Sequence, residues 1–265
     1  MNSKMADPAR ACVTSPACPP GQDLSTIERA PKSIAICEET RRVRDVYQKR
    51  GQASHHLRET PFDPYERCAI HEREELLAKI LRIEGLTTLA GLRILDVGCG
   101  TGTLLRHLFD FGAEPEKCYG VDVLDSRLLV ARQSSPNSGF VLANSAELPF
   151  AKDSFDLVLQ FTVFTSVLDA GVKRKMASEI IRTLKRGGRF IWYDFRYNNK
   201  RNSNVRGIGR PEIQRLLPNC QLRFWRVTLA PPIGRPAARI YPFLYRALSE
   251  LRVFHSHYMC LAEKL

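Results

Sequence analysis

A glycine-rich segment of this 265-residue sequence has the residue types and the spacing of a ligand-binding loop. Gly98, Gly100 and Gly102 follow the apolar run at 93–97 and open a helical pattern at 102–111. At such a strand-to-helix turn, the missing side chains let backbone amides approach a ligand at the helix N-terminus. The alternative is a tight turn that only packs strand against helix. The acidic residue Asp122 further along the chain favours the binding site.

The spacing of the glycines indicates what kind of ligand the loop takes. A dinucleotide fingerprint places its third glycine three residues after the second, which makes room for a pyrophosphate, whereas Gly102 follows Gly100 by two. Asp96 stands just before the glycines, where a carboxylate repels a pyrophosphate but attracts a cationic ammonium group. The loop therefore favours a cofactor without phosphates.

The segment Ile94–Gly102 resembles the glycine-rich first motif of class I S-adenosylmethionine-dependent methyltransferases, and the resemblance continues in order along the chain. Gly120-Val121-Asp122 resembles the acidic end of that family's second strand, whose carboxylate takes the ribose hydroxyls. Asn144–Phe150 resembles the segment that holds the adenine edge. Family members more often carry Asp where Asn144 stands, and an amide can still both donate and accept there. Phe155–Val158 and Leu184–Gly188 complete a likeness that spans 92–194.

This resemblance implies S-adenosylmethionine as the cofactor, within a methyltransferase domain similar to those of the small-molecule methyltransferases. It assigns a set of residues to cofactor binding, grouped in the loop, after the second strand, in the adenine segment and at the end of the fourth strand. They are Asp96, Gly98, Cys99, Gly100, Gly102, Asp122, Val123, Asn144, Ser145, Ala146 and Gln160.

The catalytic candidates follow the fourth and fifth strands, where the acceptor would face the cofactor. The sulfonium methyl group is already activated, so the protein chiefly orients the acceptor and excludes water, and a general base is optional. We take Thr162, Tyr193, Asp194 and Arg196 as these candidates, with Ser166 as a further polar side chain after the fourth strand. His255 and His257 are expected to be ordinary hydrogen-bonded histidines.

These side chains have to be positioned by an alternation of strands and helices. Strands separated by helices of about ten residues indicate a parallel sheet covered on both faces. We predict an α/β fold: a doubly wound, mostly parallel seven-stranded sheet of the Rossmann-like methyltransferase type with leading N-terminal helices. Helices are expected at 38–49, 64–83, 102–111, 126–133, 170–184, 210–217 and 242–251, and strands at 93–97, 118–123, 139–142, 155–161, 189–195, 221–229 and 257–263.

The chain divides into an arm and one methyltransferase domain. Residues 1–37 are rich in proline and small polar residues and predict a disordered or loosely packed arm. The domain at 38–265 comprises leading helices (38–91), a cofactor-binding core (92–195), and C-terminal strands and a helix on the substrate side (196–265).

The net charge of +12 suggests attraction to anions. Between Arg196 and Arg252 the only acidic residues are Glu212 and Glu250, so a basic C-terminal third is either a solvated face or part of an anionic acceptor site. We expect methyl transfer to an O, N or C atom of a small, anionic molecule of secondary-metabolite or saccharide type.

Two other functions remain open. The first, a nucleic-acid methyltransferase, is supported by the charge. It is disfavoured because Gln160-Phe161-Thr162-Val163 is neither the Asn/Asp-Pro-Pro-aromatic tetrapeptide that grips an extruded amino group nor a Pro-Cys pair. The second, a cofactor-binding subunit without catalysis, agrees equally well with the glycines and Asp122.

The eight cysteines are scattered, with no C-x-x-C pair or Cys/His cluster, so we expect reduced thiols and no structural metal. The sequence has neither an apolar run of the roughly 18 residues that a membrane span needs nor the pattern of a secretory signal. The expected location is the cytoplasm. The oligomeric state does not follow from the sequence.

Overall fold

The computed structural model describes residues 34–52, 62–199 and 202–265, with the side chains of 51 and 52 excepted. The helices are α1 (Ile34–Gln52), α2 (Pro64–Ile83), α3 (Thr103–Phe109), α4 (Asp125–Ser134), α5 (Ala170–Thr183), α6 (Arg210–Leu216), α7 (Pro231–Ile240) and α8 (Pro242–Ser249). The strands are β1 (Ile94–Val97), β2 (Cys118–Asp122), β3 (Gly139–Leu142), β4 (Phe155–Phe161), β5 (Leu184–Phe195), β6 (Cys220–Leu229) and β7 (His255–Lys264). Short 3-10 turns lie at Pro115–Lys117, Phe164–Ser166 and Arg252–Phe254.

The strands form one seven-stranded sheet in the order β3-β2-β1-β4-β5-β7-β6. Strands β1 to β5 are parallel, and β7 runs antiparallel to both β5 and β6. This confirms the predicted doubly wound, mostly parallel sheet with leading helices. The strand order reverses between β1 and β4, and in such sheets the ligand crevice lies outside the carboxyl ends of the strands at this reversal.

Apolar side chains are buried on both faces of the sheet, because neighbouring residues of a strand point to opposite sides. In β4, Leu157 and Leu159 pack in the cluster that holds the buried residues of α2 and α3. Val158, between them, packs in the cluster that holds the apolar face of α5. The central strands are therefore covered on both sides, as their continuous apolar sequences predict.

The leading helices differ from the expectation at one end. Helix α1 begins at Ile34, so 34–37 of the predicted arm are helical, and Ile36 is buried in the core. Residues 1–33 of that arm lie outside the described residues. Helix α2 begins where expected: Asp63 caps it by accepting from the Tyr65 amide at 2.9 Å, and Pro64 takes the first helical position.

Helix α7 is an element that the sequence pattern did not predict. Its prolines at 231, 232 and 236 read as helix breakers, yet the first two stand in the first turn, where a missing N–H needs no partner. Residues 230–254 connect β6 to β7. Because Leu229 of β6 pairs with His255 of β7, and His257 pairs with the last residue of β5, α7 and α8 lie at the same edge of the sheet as the carboxyl ends of the parallel strands.

Across 34–52, 62–199 and 202–265, no helix combines the length and the hydropathy needed to cross a lipid bilayer.

Candidate active site

The glycine loop forms a tight turn between β1 and α3. The amides of Gly98 and Cys99 both donate to the Val121 carbonyl, at 2.8 and 2.9 Å. Gly98 has a φ of +79°, and a Cβ there would lie 2.3 Å from Cγ2 of Val163, so only glycine fits. At Gly100 a Cβ would meet nothing closer than the Arg127 guanidinium at 3.8 Å. The loop therefore packs tightly below Gly98 and is open at Gly100, as a cradle for a ligand must be.

Asp122, the last residue of β2, holds this cradle in shape. One carboxylate oxygen accepts from the Gly100 amide at 2.9 Å and the other from the Leu124 amide at 2.9 Å. Each oxygen retains a further lone pair, so the same carboxylate can accept two hydroxyl groups. The arrangement fits the ribose-binding role expected of Asp122, and Val123 lies beside it, half-buried.

Asp96 is a second carboxylate beneath the loop, and it is almost fully buried. Burial and, to a lesser extent, the Asp122 carboxylate raise its pKa to about 7, and the Arg73 guanidinium opposes the shift. A cationic group placed beside Asp96 would favour its ionised form. The two carboxylates therefore suit a ligand that carries both an ammonium group and hydroxyls, and they do not suit a pyrophosphate.

The predicted adenine segment lies after β3, where Ser145 and Ala146 are buried. The Asn144 side chain closes this turn by accepting from the Ala146 amide at 2.9 Å, and its amide nitrogen donates to the hydroxyl of Thr40 in α1. Both ends of the Asn144 side chain are thus engaged within the protein, so a ligand here would meet the backbone and the small side chains of the turn.

Helix α1 extends over this region, which the sequence analysis did not anticipate. The Arg127 guanidinium, which borders Gly100, lies 4.6 Å from the centre of the Tyr47 ring. The Tyr47 hydroxyl is hydrogen-bonded to the Ser166 hydroxyl at 2.8 Å, and Glu39 accepts from the Leu168 amide. Tyr47 therefore bridges α4 and the turn after β4, on either side of the glycine loop.

Gln160, near the end of β4, is fully buried, and neither atom of its amide has a hydrogen-bonding partner within the protein. An unpartnered buried amide carries an energetic cost of about 1–3 kcal/mol. Two residues further on, Thr162 adopts a left-handed φ of +58° and donates its amide to the Tyr193 carbonyl at 2.7 Å. For a β-branched residue this is a strained conformation, of a kind that clusters at ligand sites.

The structure turns the catalytic candidates Asp194 and Tyr193 toward partners within the protein. Asp194 is fully buried and accepts from both the hydroxyl and the amide of Thr165, and burial raises its pKa to about 6. The Tyr193 hydroxyl is hydrogen-bonded to Thr228 at 2.8 Å, and its pKa is raised to about 12 by burial. The polar atoms of Asp194 and the Tyr193 hydroxyl are thus hydrogen-bonded to other residues of the protein.

Arg196 and the two histidines also have local partners. The Arg196 guanidinium lies 4.3 Å from the ring centre of Tyr197 and 5.2 Å from that of Tyr258. His257 stacks on Tyr193 with ring centres 4.7 Å apart, and burial lowers its pKa to about 3, which keeps it neutral. His255 contacts a carboxylate of α2, Glu72, at 3.1 Å.

A residue of this region that sequence reasoning missed is Arg73 of α2. Its guanidinium lies 5.5 and 5.6 Å from the ring centres of Phe161 and Tyr193, near enough to Asp96 to oppose that residue's pKa shift. Its Nε is buried without a hydrogen-bonding partner, and within the described residues no carboxylate lies at salt-bridge distance from it. The site thus combines a cation and aromatic rings beside the cofactor loop.

In the described parts of the chain, no group of three or more His, Cys, Asp or Glu side chains is placed to hold a metal ion. The described cysteines are free thiols: Cys37, Cys68, Cys99, Cys118, Cys220 and Cys260. Cys12 and Cys18 lie outside the described residues.

Comparison with known proteins agrees with this geometry. Residues 95–192 match the family model described as a methyltransferase domain. The fold is shared with solved structures of low sequence identity. One is an S-adenosylmethionine-dependent methyltransferase from Mesorhizobium loti, with a TM-score of 0.52 and 19% identity over 70% of this chain and 96% of that one. Another is the YcgJ protein of Bacillus subtilis, with a TM-score of 0.53 and 18% identity over 74% and 99% of the two chains.

Curated relatives match over part of their length. A demethylmenaquinone methyltransferase of Renibacterium salmoninarum is 30% identical over 43% of this chain and 46% of its own length. A demethylmenaquinone methyltransferase of Clavibacter sepedonicus is 31% identical over 57% of this chain and 61% of its own length. The ubiquinone/menaquinone biosynthesis C-methyltransferase UbiE of Vibrio vulnificus is 34% identical over 40% of this chain and 42% of its own length. The strand order, the glycine loop and the match of residues 95–192 together show a methyltransferase domain with the fold of S-adenosylmethionine-dependent methyltransferases.

Proposed function

We propose that this protein transfers the methyl group of S-adenosylmethionine to an O, N or C atom of a small, anionic acceptor. The observation that carries the proposal is the glycine loop held by Asp122 and underlain by Asp96. When bound, the cofactor supplies a methyl group already activated by its sulfonium charge. The protein's own contribution is to bind, orient and desolvate the two reactants.

Each end of the cofactor has matching residues in the site. Asp96 would hold the ammonium group, Asp122 the ribose hydroxyls, and the turn at Ser145 and Ala146 the adenine. The open position at Gly100 leaves room for the backbone of the loop to approach the cofactor. Gln160 would gain the hydrogen bonds that its buried amide lacks.

The acceptor would lie on the side of Arg73. A guanidinium over the rings of Phe161 and Tyr193, with neutral His257 stacked behind, favours a planar acceptor with an ionised oxygen. Arg73 would lower the pKa of such an acceptor and keep it ionised, so no general base would be required. The relatives named above as demethylmenaquinone and ubiquinone methyltransferases suggest a ring-shaped acceptor, and this finer assignment rests on the lining of the site.

A direct test is incubation with isotopically labelled S-adenosylmethionine and a panel of phenolic and quinol acceptors, followed by mass spectrometry of the products. Calorimetry should show micromolar binding of S-adenosylmethionine and none of NAD; NAD binding without sulfonium binding would overturn the proposal.

Free thiols at all described cysteines support a cytoplasmic location, which we include in the proposal.

Substitution of Arg73 separates the acceptor assignment from the cofactor assignment. Arg73→Gln removes a charge-assisted contact of about 1.5–3 kcal/mol, so the acceptor KM should rise roughly ten- to a hundredfold. Cofactor affinity should change much less, and mainly near neutral pH, because Arg73 also favours the ionised form of Asp96. Arg196→Gln is the matched comparison, since Arg196 is the arginine among the catalytic candidates that the sequence indicates. If Arg196→Gln raises the KM and Arg73→Gln does not, the acceptor's anionic group belongs at the end of β5.

A further inference from the structure

The segment between β6 and β7 exposes an unusual number of large apolar side chains. We call them the hairpin surface, and each is between 36% and 74% exposed. Its members are Ile240, Tyr241, Phe243, Leu244, Leu251, Val253 and Phe254. Single exposed apolar residues are ordinary, but a run of them in adjacent elements marks a surface that meets an apolar partner.

These side chains point outward because the inner face of the same helices is fixed to the protein. Ala237 and Ala238 of α7 and Tyr245 of α8 are buried against Tyr65 of α2. The Tyr245 hydroxyl donates to Glu72 at 2.7 Å. Rotating α7 or α8 to bury the hairpin surface would break these contacts, so the apolar side chains stay exposed in the folded protein.

Arginines are interleaved with the hairpin surface. Arg239, Arg246 and Arg252 are exposed, and Glu250 is the only acidic residue between 231 and 254. Arg246 lies 3.6 Å from Glu75, and both of these side chains remain well exposed. A helical segment with aromatic and aliphatic side chains beside arginines has the composition of elements that lie in the headgroup region of an anionic membrane.

The position of the hairpin surface relates it to the active site. Strand β6 ends and β7 begins at the edge where β1 to β5 present their carboxyl ends, so 230–254 borders the acceptor side of the sheet. Two of its neighbours in the fold, Tyr193 and His257, are rings of the acceptor site. A surface docked through 240–254 would therefore lie next to the entrance for the acceptor.

We propose that the hairpin surface docks this protein onto an anionic phospholipid bilayer and that the acceptor is an amphipathic molecule taken from that bilayer. The aromatic and aliphatic side chains would enter the headgroup and upper acyl region, and the arginines would pair with lipid phosphates. The identity of the acceptor rests on the proposed function, whereas the docking itself does not.

Vesicle flotation of the full chain, without cofactor, tests the docking. The protein should float with phosphatidylglycerol vesicles, float weakly with phosphatidylcholine vesicles, and be released by salt, since exposed charges are screened. Phe243→Asp and Arg252→Glu should each lower the bound fraction by roughly tenfold. Leu129→Asp, at an exposed apolar position on α4, is the matched control and should float like the wild type.

Two results would overturn the docking proposal. One is equal flotation of wild type and Phe243→Asp. The other is a wild-type dimer in light scattering that Phe243→Asp dissociates, without vesicle binding by either protein, since the surface would then be a contact between copies of the chain. Calorimetry with S-adenosylmethionine on the same variants distinguishes the docking proposal from the proposed function. Vesicle binding without cofactor binding would contradict only the proposed function.

Discussion

At the scale of single residues, the buried carboxylate of Asp96 has opposite effects on stability and on cofactor binding. Asp96 has a pKa of about 7 in the folded protein, well above the value of about 3.9 for an exposed aspartate. Between these two pH values only the folded state holds the proton, so the free energy of unfolding falls as pH rises through this window. Ionised Asp96 thus destabilises the protein above about pH 7, where the cofactor's ammonium group needs it.

Asp96→Asn should therefore stabilise the protein and weaken cofactor binding. We expect Tm to rise by roughly 2–8 °C at about pH 8, with little change near pH 3, where the wild-type carboxyl is mostly protonated in both states. Affinity for S-adenosylmethionine should fall at about pH 8, and its increase with pH through 7 should disappear. Thermal unfolding and calorimetry across this range check both effects; a lower Tm for the variant at pH 8 would contradict the assignment.

Asp122 is expected to behave differently because its carboxylate also holds the loop. Asp122→Ala removes the acceptor for the amides of Gly100 and Leu124, so both stability and cofactor affinity should fall, the latter by about 1–3 kcal/mol. Asp125→Ala is the matched control, since Asp125 is exposed in the first turn of α4. Calorimetry of the folded variants gives the affinities, and an unchanged Kd for Asp122→Ala would place the ribose elsewhere.

Residues fixed by local spacing could be predicted from sequence, whereas residues brought in by tertiary structure could not. The glycines and Asp122 follow from a strand, a turn and a second strand beside the first. Arg73 stands in a charged stretch of α2 that resembles an ordinary solvated face, and only the packing of α2 against the sheet brings its guanidinium over Phe161 and Tyr193.

At the scale of elements, helix α1 is expected to slow the release of the cofactor. Tyr47 joins Arg127 and Ser166 across the glycine loop through a cation–π contact and a hydrogen bond. Together these are worth about 1–2 kcal/mol, so Tyr47→Ala should weaken S-adenosylmethionine binding roughly five- to thirtyfold, mainly through a faster koff. Stopped-flow measurement of release tests this, with exposed Asp45→Ala on the same helix as the control; equal koff values would show that α1 does not cover the bound cofactor.

The elements that sequence predicted well are those with strong periodicity and clear ends. The central strands are continuous apolar runs, and α2 has both its proline and its capping aspartate. Helix α7 was missed because its three prolines and one glycine are residues that usually interrupt helices. Proline is nevertheless favoured in the first turn of a helix, where two of the three stand. The start of α1 was placed four residues late, since Ile36 is an isolated apolar residue whose burial depends on the core that it joins.

At the scale of the whole molecule, the basic C-terminal third is partly neutralised by acidic residues from α2 and the turn that follows it. Arg223 and Arg189 both pair with Glu84, and Arg235 lies 3.4 Å from Glu66. The sequence showed few acidic neighbours because these partners are more than a hundred residues away.

This pairing predicts weak adhesion to nucleic acid. In fluorescence anisotropy at physiological salt, RNA and DNA should bind with a Kd no lower than about 10 µM. Neither should inhibit methylation of the acceptor. A Kd well below that value with a steep salt dependence would mean that many phosphates are contacted at once, and the nucleic-acid hypothesis would then take precedence.

The strand order has a consequence for synthesis on the ribosome. Strand β7 follows β6 in the chain but lies between β5 and β6, so β6 emerges with no strand to pair with until β7 has also been made. The edge of β5 stays open during the same interval. These two bare edges are a hazard for aggregation in the nascent chain. A substitution in β7 that delays its pairing, such as Cys260→Pro, should therefore lower the yield of folded protein far more than the loss of one hydrogen bond would suggest.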